Sequence, residues 1–391
     1  MHILVTAYGY PEVNSKGNPF VKELAEALVR KGAKVSVIQF VFISPVNLIK
    51  SFFSFKKITN WQKSKWVNVI NSYYINFIPG TPFFLKLQKQ LILFSAGMRL
   101  QFYILANGKP NLIQQHYIIN AQPWITEYLS KKFNIPYVLF EHSPMTSLDG
   151  AEKKLHPYYS KEELLLFVKK AKYRIARSLK FKSIYESLYN SEFIVLPSLV
   201  AENHLNVPLP SFPKKIKPFF FITIGSFIPR KCHKRTINAF ILKFNHIPDV
   251  FLHIVGDGPL LGELKKIVKE SKMEHRIFMH GLLSREEVFK MIDNSHAVIV
   301  ASENESFGNT ITESFFRGVP AISTRCGGPE EIINPTNGLL SEKNEEDLAK
   351  KMWEMYSNYH QFDPMKIMED AKGKYSENIV TKQIMYLYQI E

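Results

Sequence analysis

Two glutamates, Glu305 and Glu313, stand with seven residues between them in the stretch ASENESFGNTITESFFRGVPAISTRCGGPEEII, residues 301–333. A carboxylate is an acceptor-only group with two oxygens, suited to a vicinal diol, so such a pair can hold one diol on a ribose and another on a hexose. Residues 296–301 (HAVIVA) have the length of a buried parallel strand, and residues 309–317 read as a helix ended by Gly318. Glu305 then lies in the loop at the carboxyl end of a strand, and Glu313 one to two turns into the next helix. In open α/β sheets ligands bind at that end. The amides of Ser306, Phe307, Gly308 and Asn309 would open the helix and donate to a sugar hydroxyl or a phosphate. Glu313 and Arg317 also stand at i and i+4, so an ordinary surface ion pair is the competing reading.

Groups of this kind need strand ends to hold them, and the chain supplies strands in two series. The first opens with a strand at 3–7, a loop at 8–19, a helix at 20–31 ended by Gly32, and a strand at 34–40. This βαβ start lacks the G-x-G-x-x-G of dinucleotide binders, and Gly17 is the only glycine in the loop leading to the helix. Residues 111–116 and 136–140 read as buried strands with a helix at 121–133 between them, and alternation continues to about Asn190. Residues 206–218 contain four prolines and read as a linker. The second series predicts strands at 219–225, 250–255 and 277–280, helices at 235–244 and 260–271, and a helix from Arg285. Two α/β units of near equal length imply two Rossmann-like domains facing across a cleft. The expected division is 1–205, linker 206–218, 219–375, and a final helix in 376–391.

The chain has 391 residues, 46% of them hydrophobic, which suits two globular domains. Cys232 and Cys326 form no metal or disulfide pattern, and a reducing, cytoplasmic setting fits. Residues 1–5 lead directly into a strand with no basic start or cleavage site, so no signal peptide is expected. The most apolar tract, residues 35–49, contains Pro45 and is too short to span a bilayer. The net charge of +15 is uneven: residues 1–200 carry 26 Lys or Arg against 11 Asp or Glu, and the remainder 24 against 24. Between Glu26 and Glu127 there is no acid, and 12 Lys or Arg mix with Phe52, Phe53, Phe55, Trp61, Trp66, Phe83, Phe84, Leu85 and Phe94. That mixture suits the anionic inner face of a cell membrane, where each basic residue near lipid contributes about 1 kcal/mol. A merely solvated basic face is the plainer alternative. Nucleic acid is not expected, because no recognition motif accompanies the charge.

The block at 301–333 resembles the donor-site signature of glycosyltransferase family 4, the glycosyl transferases group 1, whose members are retaining enzymes with the GT-B fold. The resemblance rests on Glu305 and Glu313 at their spacing, on Ser306-Phe307-Gly308, on Gly318-Val319-Pro320 and on Gly327-Gly328. It implies an α/β GT-B fold whose C-terminal helix crosses back to the first domain. It implies also that Glu305, Ser306, Phe307, Gly308, Asn309 and Glu313 bind a sugar nucleotide, a UDP- or GDP-sugar. In Gly225-Ser226-Phe227-Ile228-Pro229-Arg230-Lys231, Lys231 matches the second of two cations that grip the donor diphosphate. Ser226 stands where the first, an Arg, is common, and Arg230 is the adjacent candidate to replace it. Gly256-Asp257-Gly258-Pro259 resembles the glycine turn below the nucleotide, where Gly256 permits a tight turn. His280-Gly281-Leu282 falls where the backbone meets the base. His142 matches a histidine beside the transferred sugar, His116 a second one in the preceding strand, and Gly17 a backbone approach to the phosphates.

The function so implied is retaining transfer of a hexose from the nucleotide sugar to a hydroxyl of a glycan or lipid-linked precursor of the cell envelope, such as a polysaccharide or lipopolysaccharide. His142, Lys231 and Glu305 would carry the catalysis. No metal and no other cofactor is implied, and no Asp-x-Asp motif occurs. A departing nucleoside diphosphate gains negative charge, so a fixed cation and a helix start lower the barrier. Another GT-B enzyme, such as a sugar-nucleotide epimerase or a glycosyl phosphorylase, is the alternative, distinguished by needing no acceptor or by needing inorganic phosphate. A binding module without catalysis is a further reading, and a nicotinamide oxidoreductase is disfavoured by the missing glycine fingerprint.

Overall fold

The structure is a computed structural model, and it describes residues 1–7, 19–43, 62–63, 67–75, 82–118, 122–143, 160–202 and 217–389. It divides into two compact units, Met1–Arg177 with Lys182–Leu196, and Ser178–Phe181 with Pro197–Glu391. Of the expected linker, residues 206–216 lie outside the described residues. The second unit begins at Pro197 because the Val200 amide donates to the Tyr375 carbonyl at 2.9 Å and the Glu202 amide to the Glu377 carboxylate at 3.1 Å. The helix Glu377–Gln389, expected to run back to the first domain, groups with this second unit.

The first unit holds strands β1 (His2–Ala7), β2 (Lys34–Ile43), β3 (Gln62–Lys63), β4 (Asn68–Ile75), β5 (Leu112–His116), β6 (Tyr137–Phe140), β7 (Tyr173–Ala176) and β8 (Ile194–Val195). They form one sheet in the order β3-β4-β2-β1-β5-β6-β7-β8, parallel except for the edge strand β3. Ile3, Leu4 and Val5 of β1 and Val138, Leu139 and Phe140 of β6 are fully buried, as strands covered on both faces must be. The helix Pro19–Arg30 buries Val21, Leu24, Ala25 and Leu28 at helical spacing.

The strands β3 and β4 and the helix Pro82–Asn107 are absent from the sequence reading. The helix is apolar nearly all round, so it shows no amphipathic period to detect. It packs on the helix Gln122–Phe133, where a side chain at Gly97 would meet the Tyr128 hydroxyl at 2.8 Å.

The second unit holds β9 (Phe219–Ile224), β10 (Val250–Val255), β11 (Ile277–Gly281), β12 (Ala297–Val300), β13 (Ala321–Thr324) and β14 (Gly338–Ser341), all parallel in the order β11-β10-β9-β12-β13-β14. Chain direction across the sheet reverses between β9 and β12, which leaves a crevice at their carboxyl ends. Alternate side chains go to two cores: Phe219, Phe221, Leu252 and Ile254 meet Phe240 and Phe244, whereas Ile222, Val298 and Val300 meet Phe289, Ile311 and Phe315.

Arg317 is fully buried, and its guanidinium forks onto Asp293, with Nε to Oδ1 and Nη2 to Oδ2 both 2.6 Å. This pair ties the end of the helix Arg285–Asp293 to the turn that leads into β13. Arg317→Ala would leave Asp293 an unpaired, largely buried charge, so it is expected to destabilise the second unit by about 3–5 kcal/mol, measured by denaturant unfolding.

Candidate functional site

Lys231 is presented by a tight turn. Residues Pro229–Lys231 form one turn of 3-10 helix, and Cys232 then takes a left-handed conformation at φ 49° before the helix His233–Phe244 begins. A non-glycine residue held there is unusual and re-aims the chain. Lys231 Nζ consequently reaches the Glu305 carboxylate at 2.5 Å, and Arg230 Nη1 lies 3.6 Å from the same oxygen. These neighbouring side chains therefore converge, although adjacent residues ordinarily diverge.

The loop after β12 is stitched to that turn. The Glu303 amide donates to the Arg230 carbonyl at 2.8 Å and Arg230 Nη1 to the Asn304 carbonyl at 2.7 Å. Arg235 donates to the Ala301 carbonyl at 2.8 Å and pairs with Glu303. Glu305 is fixed from behind as well, its amide donating to the Cys326 carbonyl and its carbonyl accepting from the Gly328 amide, each at 2.8 Å. A Cβ at Gly328 would lie 2.4 Å from the Phe307 Cα, so glycine is needed for this approach.

Ser302 Oγ donates to Glu305 Oε1 at 2.6 Å, the atom that also accepts from Lys231. These contacts of the carboxylate thus gather on Oε1. Burial raises the pKa of Glu305, but Lys231, Ser302 and Arg230 together outweigh it and hold the carboxyl below its ordinary value. Glu313 is buried and pairs with Arg285 Nη2 at 2.5 Å, so its ion-pair partner in the structure is Arg285, while Arg317 serves Asp293. Asn309 opens the short helix Asn309–Phe315 behind Gly308 at φ 116°, and its Oδ1 is buried with no partner among the described residues.

The remaining expected residues are placed differently. Ser226 is exposed at the carboxyl end of β9, and Leu282 is 63% exposed after β11. The Phe307 side chain is buried in the core, edge-on to Tyr375 with centroids 5.6 Å apart, so only its backbone is available to a ligand. A Cβ at Gly256 would come within 1.9 Å of the Gly225 carbonyl, which makes Gly256 a packing glycine under that loop. His233, which faces Gly225 from the helix start, has its pKa pushed down to about 4 by burial and then by Lys231. Gly17 lies outside the described residues.

His142 belongs to the first unit, where it follows β6. Arg177 Nε donates to His142 Nδ1 at 3.2 Å, Arg177 Nη2 lies 3.4 Å from His142 Nε2, and His142 Nε2 is 2.9 Å from His116 Nδ1. His116 Nε2 in turn faces the Gln114 side-chain amide at 2.6 Å. Burial, and then the Arg177 charge, hold both imidazoles well below their ordinary 6.5. Glu141 is fully buried beside them and accepts from the amides of Ile118 at 3.1 Å, His142 at 2.9 Å and Ser143 at 2.7 Å. Burial raises its pKa, opposed by these donors.

Sequence reasoning missed Ser302, Arg285, Arg177 and the role of Glu141. A charged residue directly after a four-residue apolar strand was a signal for Glu141. Arg177 and Arg285 carry no local signal, because each meets its partner through the fold.

Neutral in the fold but able to take up protons near 6.5 when unfolded, His116 and His142 make the unfolded chain bind more protons below that pH. Stability of the first unit is therefore expected to be full above 6.5 and to fall as the pH drops below it. His142→Gln should flatten that slope in unfolding experiments, and imidazole resonances of His142 should not titrate as the pH is lowered through 6.5.

Residues 210–373 match the family described as glycosyl transferases group 1. An uncharacterized glycosyltransferase of Methanocaldococcus jannaschii is 27% identical over 63% of this chain and 66% of its own length, so the likeness spans slightly less than two thirds of that relative. Sucrose-phosphate synthase from Thermosynechococcus elongatus has a TM-score of 0.73 at 16% identity, covering 99% of this chain and 98% of that one. Anabaena HepE, solved in complex with UDP and glucose, has a TM-score of 0.69 at 16% identity over 100% of this chain and 99% of its own. Residues 210–373 thus carry a glycosyl transferases group 1 domain, in a chain with the two-unit α/β GT-B fold.

Proposed function

We propose that the chain is a retaining glycosyltransferase that takes a sugar from a nucleotide-sugar donor, a UDP-sugar in the first instance, to a hydroxyl of a cell-envelope glycan or glycolipid precursor. The observation that carries this reading is the convergence of Lys231, Arg230 and Ser302 on one oxygen of Glu305, at the crevice between β9 and β12, inside the matched domain. The UDP complex of Anabaena HepE, on the same fold, favours UDP as the first donor to try.

An ammonium has three protons, so Lys231 can keep one on Glu305 and offer the others to diphosphate oxygens. Oε2 of Glu305 takes a hydroxyl of the sugar, and Glu313, fixed by Arg285, takes the ribose diol. Asn309 Oδ1 accepts a further donor from the ligand. In the step itself the bond from the anomeric carbon to the diphosphate oxygen breaks as the acceptor oxygen attacks on the same face. The acceptor proton passes to the leaving phosphate, whose growing charge Lys231 and Arg230 offset. No metal is needed in this scheme. The acceptor belongs to the first unit, whose basic and aromatic composition fits a lipid-borne substrate at the inner face of the membrane.

Calorimetric titration with UDP, GDP and ADP tests the donor. One nucleotide is expected to bind selectively and about tenfold or more weakly in Lys231→Ala and in Glu313→Ala. Product from the matching sugar nucleotide should retain the donor's anomeric configuration by NMR and form equally in EDTA. An inverted product, turnover that requires inorganic phosphate, or a folded protein that binds none of the three nucleotides would each replace this reading.

A further inference from the structure

The helix Pro82–Asn107 buries Ile92, Ala96, Leu100 and Tyr103 along one side. On its other side Leu91, Phe94, Met98, Phe102 and Leu105 face solvent, with Phe94 at 64%, Phe102 at 58% and Leu105 at 77% exposure. At about 100° per residue these five fall within an arc of about 80°, opposite the buried set, and the stripe runs about 21 Å. Single exposed apolar residues are ordinary, whereas a continuous stripe marks an interaction surface.

The sequence that contains this helix carries charge of one sign. No acid occurs between Glu26 and Glu127, and 12 Lys or Arg do. Lys89 lies over the Trp124 ring at 3.9 Å, and Lys34 holds the Asn107 carbonyl at the helix end at 2.5 Å. The acids that bracket this window are paired, Glu26 with Lys22 at 4.0 Å and Glu127 with Lys170 at 2.7 Å. Two copies of so basic a segment would bring like charges together, which disfavours self-association.

We propose that this face docks on an anionic lipid surface, with Phe94, Phe102 and Leu105 entering the acyl boundary and the cations meeting headgroup phosphates. No helix among the described residues is long and apolar enough to cross a membrane, so the contact is interfacial. The inference stands on this helix and is independent of the donor site.

Flotation of the full chain with vesicles of phosphatidylcholine alone, or mixed with phosphatidylglycerol, tests it. Binding is expected only to the phosphatidylglycerol vesicles, weakened by salt, and reduced about tenfold or more in the double variant Phe94→Ser with Phe102→Ser and in Leu105→Glu. Thermal unfolding of the variants should match the parent, since the substituted side chains are exposed. Absence of binding by the parent, equal binding by the variants, or a parent dimer that the variants dissolve without any vesicle binding would overturn the proposal.

Discussion

A carboxylate taken out of water remains ionised only if cations and donors meet it, and Glu305 is arranged around that requirement. Its backbone is clamped between the Cys326 carbonyl and the Gly328 amide, which sets the position of its side chain before any ligand arrives. Lys231 then has to come from another strand end, and the left-handed Cys232 and the short turn before it bring Lys231 there. Much of the nearby bonding serves the same end: Arg230 and Arg235 stitch the two loops, and Gly256 lets the neighbouring loop pass under Gly225. Removing one clamp would loosen the pair on which the others rest.

The first unit meets a similar demand by the opposite means. Its buried polar groups form a line of neutral rings ending on Arg177. Glu141 is held by three backbone amides and not by a cation. Such a line keeps its hydrogen bonds only while the rings stay neutral, because two imidazolium ions cannot share one proton. The second unit meets its buried carboxylate with full charges, and the first meets Glu141 with backbone dipoles.

The sequence made much of the second unit legible, because strands buried on both faces are unbroken apolar runs. The expected strand at 250–255 coincides with β10, and β9, β11 and β12 agree within a residue or two at their ends. Glu305 and Lys231 were legible for a different reason, since both sit in loops directly after strands, where side chains have little packing to do. Phe307 shows the limit of a motif, because the expectation concerned its backbone amide while its side chain serves the core. The helix Pro82–Asn107 was invisible because an apolar face turned to solvent breaks the rule that links period to burial. Arg177 and Arg285 were invisible because contacts between distant segments, to His142 and to Glu313, leave no trace in spacing.

Charge counting connects the clamp to the ligand proposed for it. Glu303 and Arg235 neutralise one another, as do Glu313 and Arg285. Glu305 is left with both Lys231 and Arg230, so the group at the crevice carries one positive charge more than it needs. An uncompensated cation half withdrawn from water is costly unless an anion completes it. In the function proposed here a diphosphate would supply that anion, and its charge would rise as the sugar leaves. On that proposal the excess charge would gain most at the moment of bond cleavage, which is the differential stabilisation that transfer chemistry requires.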